Sequence, residues 1–246
     1  MISHVFLIIA SLFAFGAILI VAAHRRAHTD GVSARKDWIK YAVYIVIVNG
    51  CIGLVFWSVT AIPVILAAIL IAGGRELRRS LGGHVRKPNT LTILATILMA
   101  LCLGHLFLGP GIIWQTGFVL AFLLTCVTDA FSQLWGKLLG SVKLCPTISP
   151  GKTVEGLVCG LATVSLGACL LADLAPHMSS KSLAVLGVAV GCAATTGDLA
   201  FSIIKRWLRI KDFSTVIPGH GGVLDRFDSF ILAVPTFYWT QKLLDN

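Results

Sequence analysis

The chain has 246 residues, 57% hydrophobic and only 13% charged, with a formal charge of +9. Soluble domains carry roughly 25% charged residues, so the composition excludes an ordinary water-soluble enzyme and points to a membrane-embedded chain. The basic groups are dispersed rather than clustered, which argues against nucleic acid as a partner and for anionic membrane lipids.

A spanning helix needs about 20 mostly apolar residues. Apolar runs cover residues 5–23, 41–72, 91–108, 112–127, 157–171, 183–200 and 229–244. The second run is too long for one crossing, and the polar patch at Ser58 and Thr60, followed by Pro63, divides it into two short helices. The prediction is an all-α, polytopic integral membrane protein of about eight transmembrane helices. Arg25, Arg26, Arg35, Lys36 and Lys40 follow the first span, and Arg75, Arg78, Arg79, Arg86 and Lys87 the third. Lys137, Lys143 and Lys152 follow the fifth, while Lys205, Arg206, Arg209, Lys211 and Arg226 follow the seventh. The alternate loops hold only Lys181 and Lys242. The positive-inside rule then places the basic loops in the cytoplasm and both termini outside, in a cell inner or plasma membrane. No basic residue precedes the first run, so it reads as a retained anchor rather than a secretory signal.

Low-complexity linkers and long repeats are absent, so residues 1–246 read as a single transmembrane domain. Residues 1–110 act as membrane-anchoring helices, their polar groups being almost all loop charges that explain orientation. Residues 111–246 form the catalytic half, because ionisable residues enter the spans from Asp129 onward. Seven cysteines include no C-x-x-C pair and suggest neither a disulfide framework nor a zinc site. Gly156 with Gly160, and Gly187 with Gly191, are small residues one helical turn apart. Close helix packing is their first reading, and a homodimer seam the second.

Three places hold the chemistry: "TDAFSQLWGKLLG" at 128–140, "ISPGKTVEG" at 148–156, and 196–229, which ends in "KDFSTVIPGHGGVLDRFDS". Asp198, Ser202 and Lys205 are spaced i, i+4, i+7 and share a helix face. Asp225 and Asp228 share a face where the last helix begins, and Asp129 stands at the matching edge of the fifth span. A charge inside a span is costly and pairs or faces a wet cavity. Carboxylates converging from three helices repel one another unless cations lie between them. Oxygen-only ligands suit Mg²⁺, which uses one or two carboxylates together with waters and substrate phosphates. Lys205, Arg206, Lys211 and Arg226 supply positive charge for phosphate oxygens. Carboxylates for metal beside basic groups for phosphate argue for phosphoryl or nucleotidyl transfer. "PGKT" at 150–153 is no P-loop, since Pro146 stands where the first glycine belongs. Ser149, Lys152 and Thr153 remain nucleotide-contact candidates beside a helix start, with Glu155 complementing the helix dipole.

The segment "SIIKRWLRIKDFSTVIPGHGGVLDRFD", residues 202–228, resembles the signature of phosphatidate cytidylyltransferases (CDP-diacylglycerol synthases). Every fixed position of S-x-aliphatic-K-R, four residues, K-D, a small residue and a proline, then H-G-G-aliphatic-x-D-R-aliphatic-D is filled. "GDL" at 197–199 and "SPGKT" at 149–153 also look like family segments, so the resemblance covers roughly 129 to the end. One departure lies after Asp129. Family members commonly carry a hydroxyl residue, small residues and a tyrosine there, whereas this chain has Ala130, Phe131, Ser132 and Gln133.

The resemblance implies a reaction in which phosphatidic acid attacks the α-phosphorus of CTP, giving CDP-diacylglycerol and pyrophosphate. It implies Mg²⁺ as cofactor and leaves a second cation open. Asp198 and Asp225 are then the expected metal ligands, with Asp129 and Asp228 as supporting ligands. Lys205, Arg206, Lys211 and Arg226 would hold phosphates of CTP and lipid, with Asp198, Asp225, Lys205 and Arg226 as the catalytic set. Ser149, Lys152, Thr153 and Ser202 join the substrate-binding set, and Pro218, Gly219, His220, Gly221 and Gly222 shape the nucleotide pocket. The expected topology puts these residues on the cytoplasmic side. Two rival readings stand beside this one: a CTP-dependent polyprenol or lipid kinase, and an ion-coupled transporter.

Overall fold

The computed structural model describes residues 2–27, 30–58, 60–82, 112–217 and 221–244. The expected span at 91–108, Arg86 and Lys87, and the turn residues Pro218, Gly219 and His220 lie outside them. The first two helices, α1 (Ile2–Ala27) and α2 (Gly31–Trp57), are longer than the apolar runs that predict them. Arg25 and Arg26 close α1, where cations complement the helix dipole. Arg35, Lys36 and Lys40 ride on α2 itself rather than in a loop. The long apolar run breaks where its polar patch predicts. After α2, Ser58 turns extended, and α3 (Ala61–Gly82) restarts with Pro63 in its first turn, where no helical hydrogen bond is lost.

The second half holds α4 (Ile112–Leu139), α5 (Val154–Leu170), α6 (Ser180–Trp207) and α7 (Leu224–Leu244). α4 is the hub, touching α1, α2, α5, α6 and α7 and burying Phe118, Leu120, Leu124 and Val127. Ile2–Ala27, Gly31–Trp57, Gln115–Leu139 and Ser180–Trp207 are each long and apolar enough to cross a membrane. The architecture is that of an α-helical integral membrane protein. α6 stops in a Schellman turn: Ile210 N–H reaches back to the Lys205 carbonyl at 3.0 Å, with Arg209 in the left-handed region at φ 56.

The all-α expectation misses one feature. Between α4 and α5 the chain makes an antiparallel hairpin, β1 (Lys143–Cys145) and β2 (Ser149–Thr153), pairing Lys143 with Thr153 and Cys145 with Ser149. Backbone at this polar link satisfies itself locally, and a two-stranded sheet consists only of edges, where Pro150 is tolerated.

The paired glycines pack inside the chain. A Cβ on Gly156 would lie 2.5 Å from the Ser132 carbonyl oxygen of α4, and one on Gly187 2.9 Å from that of Val164 in α5. Gly160 abuts Ser132 as well, and Gly191 abuts Leu161 and Val164. These residues close the α4–α5 and α5–α6 crossings, in keeping with their first reading as close helix packing.

Candidate active site

The spacing along α6 works as the sequence suggests. Asp198, Ser202 and Lys205 fall on one face, and the Ser202 hydroxyl donates to Asp198 Oδ1 at 3.3 Å. The Lys205 ammonium is buried between two carboxylates of the first turn of α7, 2.9 Å from Asp225 Oδ1 and 3.4 Å from Asp228 Oδ2. It also lies 5.6 Å from the centroid of the Phe213 ring. One buried cation between two buried anions leaves this cluster net negative in a weakly screening setting, so it holds only while every lone pair is used. The second oxygen of Asp225 accepts from the Phe213 and Gly222 amides at 2.8 and 2.9 Å. Asp228 Oδ1 accepts from the Ser229 amide at 2.8 Å.

Ser229 carries the network on to α4, its hydroxyl donating to Asp129 Oδ1 at 3.1 Å. Lys152 of β2 closes the ring, 2.7 Å from Asp198 Oδ2. Thus three helices and the hairpin bring four carboxylates and two lysines to one place. All six line a cavity of about 560 Å³, which Arg226, Ser149 and Thr153 also line. The cavity continues between α1, α2 and α4 along Leu12, Phe13, Tyr44, Ile47 and Val48, with Asp37, Lys40 and Lys137 also on its wall, so one void has both ionic and apolar lining. An amphiphile fits such a lining better than a purely water-soluble substrate.

Comparison with known proteins adds a family match. The model of the "Cytidylyltransferase family" matches residues 1–244. The chain belongs to the cytidylyltransferase family. It is 37% identical over 145 residues to the phosphatidate cytidylyltransferase of Rickettsia bellii, covering 56% of this chain and 63% of that one. It is 41% identical over 125 residues to that of Haemophilus influenzae, covering 47% and 42%. An uncharacterized protein of Escherichia coli, YnbB, is 32% identical over 177 residues, covering 70% and 59%. The chain therefore spans about two-fifths to two-thirds of the length of these curated relatives.

Not every residue singled out from the sequence reaches the cavity. Arg206 turns away from its wall and donates to the backbone carbonyls of Ile148 and Ile210 at 3.1 and 3.3 Å, tying the hairpin to α6. Lys211 is exposed and off the wall. Ser202 stands behind Asp198 rather than in the cavity. Thr153 caps α5, accepting from the Gly156 amide at 3.1 Å. Glu155 lies in the first turn of α5, but its carboxylate also accepts from the Ser141 hydroxyl and the Val142 amide. Gly221 has φ +82, and the Ile217 amide donates to its carbonyl at 2.8 Å.

The atypical residues 130–133 line the same cavity, and Phe131 stacks on Phe15 of α1 with centroids 5.6 Å apart. Sequence reasoning missed Glu76. This α3 carboxylate accepts from Ser214 Oγ at 2.6 Å, Val223 N at 3.0 Å and Leu224 N at 2.9 Å. The signal was a single acid inside "GRELRR", a stretch that otherwise reads as pure topology. The polar groups of 1–110 are therefore more than orientation signals: Asp37 of α2 also binds His24 of α1 and Lys137 of α4 at 3.1 and 2.8 Å.

Proposed function

We propose that this chain transfers CMP from CTP to phosphatidic acid, forming CDP-diacylglycerol and pyrophosphate. The observation that carries the reading is one cavity that is lined both by the acid–lysine cluster and by apolar side chains of α1, α2 and α4. A lipid phosphate and a nucleotide triphosphate can meet in such a place with the acyl chains leaving sideways. Relatives named phosphatidate cytidylyltransferase support the same reading.

A phosphate oxygen of the lipid attacks the α-phosphorus, the bond to the β-phosphate oxygen breaks, and pyrophosphate leaves with the electron pair. No general base is required, because the attacking phosphate is already ionised at neutral pH. What the site must do is hold two anions in line and offset their repulsion. Lys205, Lys152 and Arg226 do so from three sides of the cavity, and the aspartates fix the lysines through short ion pairs.

No group of three or more His, Cys, Asp or Glu side chains among the described residues is gathered closely enough to hold a metal ion. Mg²⁺ needs only one or two carboxylates besides water and substrate phosphate, and an all-oxygen donor set fits it. Asp198 and Asp225 would hold it, with Asp129 and Asp228 alongside. When bound, it supplies further positive charge to the reacting phosphates. The basic-loop rule supports eight spans, outward termini and a site facing the cytoplasm, where CTP is found.

The test incubates the purified full-length chain with phosphatidic acid vesicles, Mg²⁺ and CTP labelled at the α-phosphate. Labelled lipid with release of pyrophosphate is expected, and no turnover under exhaustive chelation. Labelled CDP, with an unlabelled γ-phosphate passed to the lipid, would mean a kinase and overturn the proposal.

A further inference from the structure

Glu76 is the only acidic residue of α3, and it is 5% exposed. It does not line the cavity, yet it meets the same loop that Asp225 meets. The division of contacts is interleaved. On the outgoing strand of the loop, Phe213 N–H goes to Asp225 and Ser214 Oγ to Glu76. On the returning strand, Gly222 N–H goes to Asp225 while Val223 and Leu224 N–H go to Glu76.

Those last amides open α7, where a helix has donors without intrahelical partners and favours an anion. The loop glycines are fitted to the two carboxylates. A Cβ on Gly222 would stand 2.5 Å from Glu76 Oε2, and one on Gly221 2.9 Å from Asp225 Oδ2.

We propose that Glu76 is a positioning residue for cytidylyl transfer. Its charge pins the first turn of α7 to α3, and so sets where Asp225 presents its free edge to Lys205. The helix that the sequence assigns to anchoring is thereby part of the catalytic apparatus. A glutamine would keep the size of the group but turn an amide N–H₂ against a backbone donor and lose the charge.

The kinetic arm rests on the reaction proposed above, and the exchange arm does not. Glu76→Gln is made in the full-length chain, and three quantities are compared with wild type: amide exchange at residues 213–224, the thermal midpoint, and kcat and KM for CTP and lipid. The expected result is exchange at Val223 and Leu224 faster by about tenfold or more, with the midpoint shifted by no more than about 3 °C. The kcat should fall about 10–100-fold while both KM values move less than about threefold. Wild-type kcat, or a loss that only tracks a lowered midpoint, would overturn the proposal. Should Glu76→Gln fail to fold, Ser214→Ala removes only the hydroxyl that donates to Glu76 and accepts from the Val216 amide: a smaller fall in kcat at constant KM supports the role, and none overturns it. If wild type itself makes no CDP-lipid, the reaction reading fails, and unchanged exchange in Glu76→Gln would separately remove the pinning.

Discussion

Helices α4–α7 and helices α1–α3 are built from the same apolar residues but are held together differently. In the first group backbones nearly touch. A Cβ added at Gly156, Gly187 or Gly197 would come within 2.5–2.9 Å of a carbonyl oxygen of another helix or turn. In the second group, a Cβ at Gly50, Gly53 or Gly74 meets nothing within 4 Å among the described residues. Burial follows: 67% of the apolar window of Gln115–Leu139 is inside, against 17% of that of Gly31–Trp57. Lipid tails are as apolar as leucine, so helices in a bilayer gain little by hiding apolar faces from them and associate through close packing or polar contacts. α4–α7 use the first device and add polar contacts such as Lys205 with Asp225 and Ser229 with Asp129. α1–α3 use the second, through Tyr44 to the Cys126 carbonyl at 2.9 Å, Asp37 to His24 and Lys137, and Glu76 to the α7 turn.

The sharpest break in this contrast should come at the ionic end of the cavity. Asp198→Asn is expected to lower kcat about 10²–10³-fold with the helices still assembled, as read from product formation and a thermal melt in detergent. Next, Gly160→Leu forces α4 and α5 apart and should cost about 1–3 kcal/mol in reversible unfolding. Tyr44→Phe removes one interhelical hydrogen bond between the halves and should cost about 0.6 kcal/mol by the same measurement. Smallest, and of opposite sign, Gly53→Ala should stabilise by about 0.5 kcal/mol, since the site has room and a helical glycine is entropically costly. Loss of stability at Gly53→Ala would show that α2 is packed more tightly than the structure has it.

Much of this was legible in the residues themselves. Interruption of the 41–72 run by Ser58, Thr60 and Pro63, and the shared face of Asp198, Ser202 and Lys205, follow from bilayer thickness and helical period. Convergence of Asp129 with Asp225 and Asp228 was legible because a charge in an apolar span needs a partner. The hairpin at 143–153 was not, for Pro150 and Gly151 are poor strand residues and the segment lacks apolar alternation. Arg206 and Lys211 misled for another reason. A motif fixes which residues are near one another along the chain, while the Schellman turn after α6 decides which side chains face the void. Glu76 escaped because its partners are 138–148 residues away, a separation that a single sequence does not report.

The length of α4 has a consequence of its own. Its 28 residues extend about 42 Å, against a hydrocarbon layer of about 30 Å. Two turns or so must therefore stand clear of the oil at one end. Asp129 is ten positions short of Leu139, the last residue of that helix. With the Leu139 end clear of the oil, Asp129 and the ionic cluster stand near the waterline, the depth at which the proposed meeting of a dissolved nucleotide with a lipid head would take place.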